Sequence, residues 1–148
     1  MGADPKLREI AAAIVFDTSG NLLLQLRDDI PGILCPGKLA LFGGHREGDE
    51  TFLECAVREI HEELSYFIPP ANFELVTQLM GPDAEVPGGT IRAEFFVTRD
   101  VPADKLLVTE GRLKVLEVGK LGEIKHELTP HSRFALEAAG LVAAEPEV

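Results

Sequence analysis

Three features of the 148-residue sequence predict an α/β fold whose sheet is covered on both faces. Short apolar segments, several of them strictly alternating, have the length and pattern of strands. One longer segment carries apolar residues at helical spacing, and a second is bracketed by helix start and stop residues. The two kinds are interleaved along the chain, which is the arrangement that lets helices pack on both sides of a sheet. A hydrophobic content of 45% supports a buried core, and the length suits one domain over residues 1–148. The ends, residues 1–6 and Ala143 to Val148, are expected to fray.

Residues 9–16 (Glu-Ile-Ala-Ala-Ala-Ile-Val-Phe) read as the first strand. Asp17 to Asn21 is rich in turn formers, and Leu22 to Arg27 alternates, so the two segments pair as a hairpin. Residues 28–38 hold Pro31, Gly32, Pro36 and Gly37 and form a loop able to act as a lid. Leu39 to Phe42 is a short strand running into a Gly43-Gly44 turn. A helix follows, opened by Thr51 and Glu54 as a capping box. Its apolar stripe is Leu53, Ala56, Val57, Ile60 and Leu64, centred near Leu53 and Ile60. After Pro69-Pro70, strands are expected near Phe73–Met80, over Thr90–Thr98 and over 113–118. Residues 120–127 suit a short helix. Thr129-Pro130 starts a final one, and Gly140 suits its end.

The chemistry concentrates on the first helix. Glu59, Glu62 and Glu63 are three and four residues apart and share one face, about a quarter turn from the apolar stripe. Three like charges repel, and the Lys and Arg nearby are too few to balance them, so a divalent cation is the expected counter-charge. A solvated acidic face is the ordinary reading of a Glu-rich helix. The Gly-Gly turn and the outlying Glu50, at fixed distances from the helix, argue against it here. Glutamates without His or Cys neighbours are hard oxygen ligands, which favour Mg²⁺ or Mn²⁺ over Zn²⁺. Such ions serve phosphate chemistry.

These residues resemble the Nudix hydrolase box: Gly, five residues, Glu, seven residues, Arg-Glu, an aliphatic residue, any residue, Glu-Glu, any residue, Gly and an aliphatic residue. Gly44, Glu50, Arg58, Glu59, Ile60, Glu62 and Glu63 stand in register with it. Ser65 and Tyr66 replace the last two positions, which bears on how the helix ends. The resemblance implies a Nudix-type α/β/α sandwich with a mixed β-sheet between helices. It implies Mg²⁺-dependent hydrolysis of a phosphoanhydride in a nucleoside diphosphate linked to another group, with Mn²⁺ as a substitute. Glu59, Glu62 and Glu63 match the family's metal ligands, joined by the carbonyl of Gly43. Arg58 matches a residue that pairs with acidic neighbours, Glu50 among them, and orients the carboxylates. Gly44 matches a glycine that allows a tight turn and close backbone approach. The general base is either a box glutamate, Glu62 or Glu63, or the downstream Glu110 of a Glu-Gly pair; Glu94 is a weaker candidate. Arg27 is a candidate phosphate-binding residue. Family members are often dimers, so a homodimer is an expectation by analogy.

Pro82 lies near a position used by ADP-ribose hydrolases, but no Tyr follows Tyr66 and the chain has no Trp. Nucleoside triphosphates and nucleotide sugars are therefore the favoured substrates, with Phe16, Phe42, Phe95 and Phe96 available for stacking or for the core. The alternative is a catalytically silent Nudix-like domain that senses a nucleotide. A structural Ca²⁺ protein lacks support, since no Asp-x-Asp-x-Asp-Gly loop is present. The net charge of −11 argues against duplex nucleic acid but not against a nucleotide substrate. No apolar run reaches membrane-spanning length, and no secretory apolar region opens the chain, so a cytoplasmic protein is expected. Cys35 and Cys55 make no disulfide framework. A catalytic thiol is disfavoured: Cys55 reads as a small buried side chain and Cys35 as a loop residue. His45 reads as a loop residue and His61 as solvated, and no partner is legible for His126 or His131.

Overall fold

A computed structural model describes residues 6–144. The expected frayed ends therefore lie outside the described residues, apart from positions 6, 143 and 144. Strand β1 (Leu7–Asp17) is the centre of a mixed sheet. It runs parallel to β6 (Thr90–Val101) and antiparallel to β2 (Leu22–Leu26) and β4 (Phe42–His45). β2 continues the sheet to β3 (Leu39–Ala40) and β7 (Arg112–Leu116), and β6 to β5 (Glu74–Pro82).

The sequence of β1 shows why it is central. Ala11, Ala12, Ala13, Ile14, Val15 and Phe16 are all buried, so both faces are covered. Ala12, Ile14 and Phe16 join one core with Leu22, Leu24, Phe95, Ala135 and Leu136. Ala11, Ala13 and Val15 join the other with Leu23, Phe42, Ala56, Ile60 and Leu64. Helix α1 (Phe52–Leu64) covers the second face, and α3 (Pro130–Ala138) covers the first. This is the α/β/α sandwich expected from the sequence. The four candidate stacking phenylalanines are core residues, buried to 4% exposure or less.

Four local expectations are corrected. The Gly43-Gly44 pair is not a turn but part of β4, opposite Ala12 and Ala11. Extended backbone is favoured there because the strand can then complete its ladder with β1. The buried face of α1 is Cys55, Ala56, Ile60, Glu63 and Leu64, so Leu53 and Val57 flank the stripe rather than centre it. The expected helix over 120–127 is one α-turn, α2 (Leu121–Ile124), between two 3₁₀ turns. Thr129 is the N-cap of α3 and Pro130 its first residue, as expected, but the Thr129 hydroxyl caps no backbone N–H and instead bonds the Ser132 hydroxyl at 2.7 Å. The capping box on α1 is present, with Glu54 N–H donating to Thr51 Oγ1 at 3.0 Å and Thr51 N–H to Glu54 Oε1 at 2.9 Å. Ser65 adopts the left-handed conformation itself (φ 54°, ψ 36°), so the helix ends as a glycine would end it. Among the described residues no helix is long and apolar enough to cross a membrane.

Candidate active site

β4 pairs with β1 alone among the described strands, so its outer edge offers unpaired backbone groups. Glu63 takes one of them: Gly43 N–H donates to Glu63 Oε1 at 2.9 Å. The other oxygen lies 3.4 Å from Nε2 of Gln25, which also donates to the carbonyl of Glu110 at 3.0 Å. Burial pushes the Glu63 carboxyl up to about 8, with the charges of Glu59 and Glu110 adding to it and the Gly43 N–H opposing it.

Gly44 is needed for space. A Cβ at this position would run into the Glu59 carboxylate, and one on Gly43 would overlap Ala12 and the carbonyl of Ala11. The two glycines thus bring α1 carboxylates against the bare backbone of the sheet edge. Burial also raises the Glu59 carboxyl, against the pull of Arg58.

Arg58 organises the exposed side. Its Nε and Nη2 donate to the two oxygens of Glu50 at 2.6 and 2.9 Å. Nη1 donates to Glu59 at 2.9 Å and to Glu62 at 3.3 Å, and Nη2 also donates to the carbonyl of His45 at 3.0 Å. The hydrogen bonds to Arg58 hold the Glu50 carboxyl down at about 2. Glu47 stands 3.9 Å from the same guanidinium.

Glu110 comes from far along the chain. Thr109 N–H donates to the Glu63 carbonyl at 3.0 Å and Thr109 Oγ1 to the Glu62 carbonyl at 3.3 Å, docking this loop on the end of α1. Gly111 (φ 66°) permits it, since a Cβ there would strike the Leu26 carbonyl. Arg27 sits just past β2 and donates through Nε to the Leu34 carbonyl at 2.8 Å. Glu94, on β6, pairs with Gln78 at 3.2 Å instead.

A cleft of about 290 Å³ opens on the α3 side of Gly43 and Gly44. Arg27, Leu34 and Cys35 from the loop form one wall, and Thr129, His131 and Ser132 from the start of α3 another. Arg8, Ile10 and Ala12 lie along its floor. No partner for His131 is legible in the sequence. The structure supplies one: Nε2 lies 2.9 Å from Asp83 Oδ1. Asp83 also accepts from Arg8 Nε at 2.6 Å, Arg8 Nη2 at 3.0 Å and Glu85 N–H at 2.9 Å. Its burial opposes ionisation, but the bonds from Arg8, His131 and Glu85 outweigh that and keep it ionised. An ionised carboxylate only accepts, so His131 carries the proton on Nε2. Gln25, a lone amide among the leucines of β2, was a legible hint of the contact with Glu63 and Glu110, but nothing in the sequence pointed to Arg8, Asp83 and His131.

Among the described residues no three His, Cys, Asp or Glu side chains close on one point as a ready-made cage. Four carboxylates, Glu47, Glu50, Glu59 and Glu62, surround the single guanidinium of Arg58 and offer oxygen donors in excess of its charge. That set fits a hard divalent cation.

A sheet sandwiched between helices, with helix-borne carboxylates against a glycine edge and a cleft beside them, defines a Nudix-type fold. The NUDIX domain matches residues 6–137, and the chain belongs to the Nudix family. It is similar to the MutT NUDIX hydrolase from Burkholderia pseudomallei, with 24% identity, TM-score 0.71, and 89% of this chain and 97% of that one covered. It is similar to the MutT protein from Methanosarcina mazei Go1, with 21% identity, TM-score 0.73, and 92% and 94% covered. The ORF135 protein of E. coli shares 25% identity at TM-score 0.61, with 90% and 93% covered. A search of curated proteins finds no match.

Proposed function

We propose that the chain is one Nudix hydrolase domain that hydrolyses a phosphoanhydride of a nucleoside diphosphate linked to another group, with Mg²⁺ or Mn²⁺. Nucleoside triphosphates and nucleotide sugars are the favoured substrates. The observation that carries this reading is the buried Glu63, close to Glu59 and hydrogen-bonded to Gly43, a residue that also lines the cleft. Buried, closely spaced carboxylates are costly unless a cation joins them.

Glu59, Glu62, Glu63 and the Gly43 carbonyl would hold the ion. When bound, it supplies charge neutralisation for phosphate oxygens and lowers the pKa of bound water. Arg58 fixes the positions of Glu59 and Glu62 while Glu50 fixes Arg58. Arg27 lines the cleft with Nη1 and Nη2 available to a phosphate. Gln25 ties Glu63 to the Glu110 backbone, which supports Glu110 as the group that would accept a proton from an attacking water. Glu62 and Glu63 remain the other bases.

The test is a turnover screen with Mg²⁺, and then Mn²⁺, over nucleoside triphosphates, 8-oxo-dGTP, ADP-ribose, nucleotide sugars and dinucleoside polyphosphates. Glu62→Gln serves as the control. Turnover of one class, lost in the variant, supports the proposal. No turnover of any compound would favour a nucleotide-sensing domain.

A further inference from the structure

The lining of the cleft includes a charged pair. Arg8 and Glu85, whose side chains are 16% and 10% exposed, both line it and stand 3.3 Å apart, Nη2 to Oε1. Their positions are fixed. Arg8 is held on two atoms by Asp83, and Glu85 Oε2 accepts the His131 N–H at 3.2 Å at the start of α3. Arg8 Nη1 makes no hydrogen bond among the described residues, which leaves two donor hydrogens on a mostly buried cation. Nη1 is not among the buried polar atoms left without a partner, so water reaches it in the cleft and an acceptor on a ligand can take the water's place. Glu85 is acceptor-only while ionised.

The distance suits a nucleoside. Arg8 lies four residues along β1 from Ala12, the partner of Gly43, and shares its face. At about 3.3 Å per residue that is roughly 13 Å, comparable to the span from the phosphates of a nucleotide to the far edge of its base.

Resting on the reading of this cleft as the substrate site, we propose that Arg8 and Glu85 select bases with a lactam edge. Arg8 donates to the ring carbonyl and Glu85 accepts the adjacent ring N–H. Both bonds are then charge-assisted. Guanine and uracil carry that edge. Adenine and cytosine carry an amine and a bare ring nitrogen in the same places, so donor meets donor at Arg8 and acceptor meets acceptor at Glu85. A polar site left unpaired in this way discriminates strongly. Asp83 is a positioning residue, keeping the guanidinium in place without touching the base.

The experiment is calorimetric binding of the α,β-methylene analogues of GTP, UTP, ATP and CTP to the whole chain with Mg²⁺, beside turnover of the natural triphosphates. The expected result is binding of the guanine or uracil analogue at least about tenfold tighter than its amino-bearing counterpart. The purine and pyrimidine arms identify which base fits. Arg8→Met should abolish the preference. Glu85→Gln, which keeps the side-chain shape and offers an amide donor, should shift it toward adenine or cytosine, and it decides the matter if Arg8→Met fails to fold. Equal binding of all four analogues, binding of none, or a preference that survives both variants would overturn the inference. Selective binding without turnover would keep it and sink the hydrolase reading; turnover without selectivity would do the reverse.

Discussion

Arg58 grips Glu50 with two parallel hydrogen bonds, 2.6 and 2.9 Å, and uses its third nitrogen to reach Glu59 and Glu62. One guanidinium therefore ties an outlying carboxylate to two on the helix. A planar fork does this; an ammonium cannot. Arg58→Lys is expected to keep the fold and lower kcat/KM by roughly 10–100-fold, the usual cost of losing a group that orients metal ligands. Steady-state kinetics over a Mg²⁺ titration, with circular dichroism as the check on folding, measures it.

Gly44 has an ordinary φ, so alanine is tolerated by the backbone but not by the Glu59 carboxylate above it. Gly44→Ala is expected to displace Glu59 and weaken Mg²⁺ binding by roughly tenfold or more. Titration calorimetry with Mg²⁺ would read this directly, and unchanged affinity would remove Glu59 from the ligand set.

Glu63 makes the metal-free protein pH-sensitive. Its carboxyl is raised from 4.5 to about 8 in the fold, chiefly by burial. Between those values the folded state retains a proton that the unfolded state has released, so this contribution to stability is present below pH 4.5 and lost as pH rises through about 8. In EDTA, wild-type Tm should fall relative to Glu63→Gln across that window, on a scale of about 2–4 °C per kcal/mol for a domain of this size. Mg²⁺ should restore the wild type at pH 8 more than the variant. Parallel curves for the two proteins would contradict the burial argument.

Glu110 is placed by the docking of its loop on α1 rather than by the helix itself. If it takes the proton, Glu110→Gln should lower kcat by roughly 100-fold or more with little change in KM. A kcat within twofold of wild type would move the base to Glu62 or Glu63.

The sequence by itself determined the α/β class, the two covered faces and the carboxylate row, because these depend on short-range periodicity. Glu59, Glu62 and Glu63 share a side of a helix wherever that helix is packed. The capping box of Thr51 and Glu54 is equally local. Tertiary structure decided what periodicity cannot encode. Gly43 and Gly44 look like a turn in one dimension, and only pairing with Ala12 and Ala11 makes them a strand. Glu63 looks like its neighbours on the helix, and only its packing in the fold buries it beside Gly43 and Gln25 and so raises its pKa. Arg8, Asp83 and His131 are separated by 75 and 48 residues, and they meet because β6 lies between β1 and β5, setting Leu7, Thr90 and Pro82 in one row, while α3 covers that face. Charge and burial at those positions come from contacts distant in sequence, so the deep end of the cleft was legible only once the chain was folded.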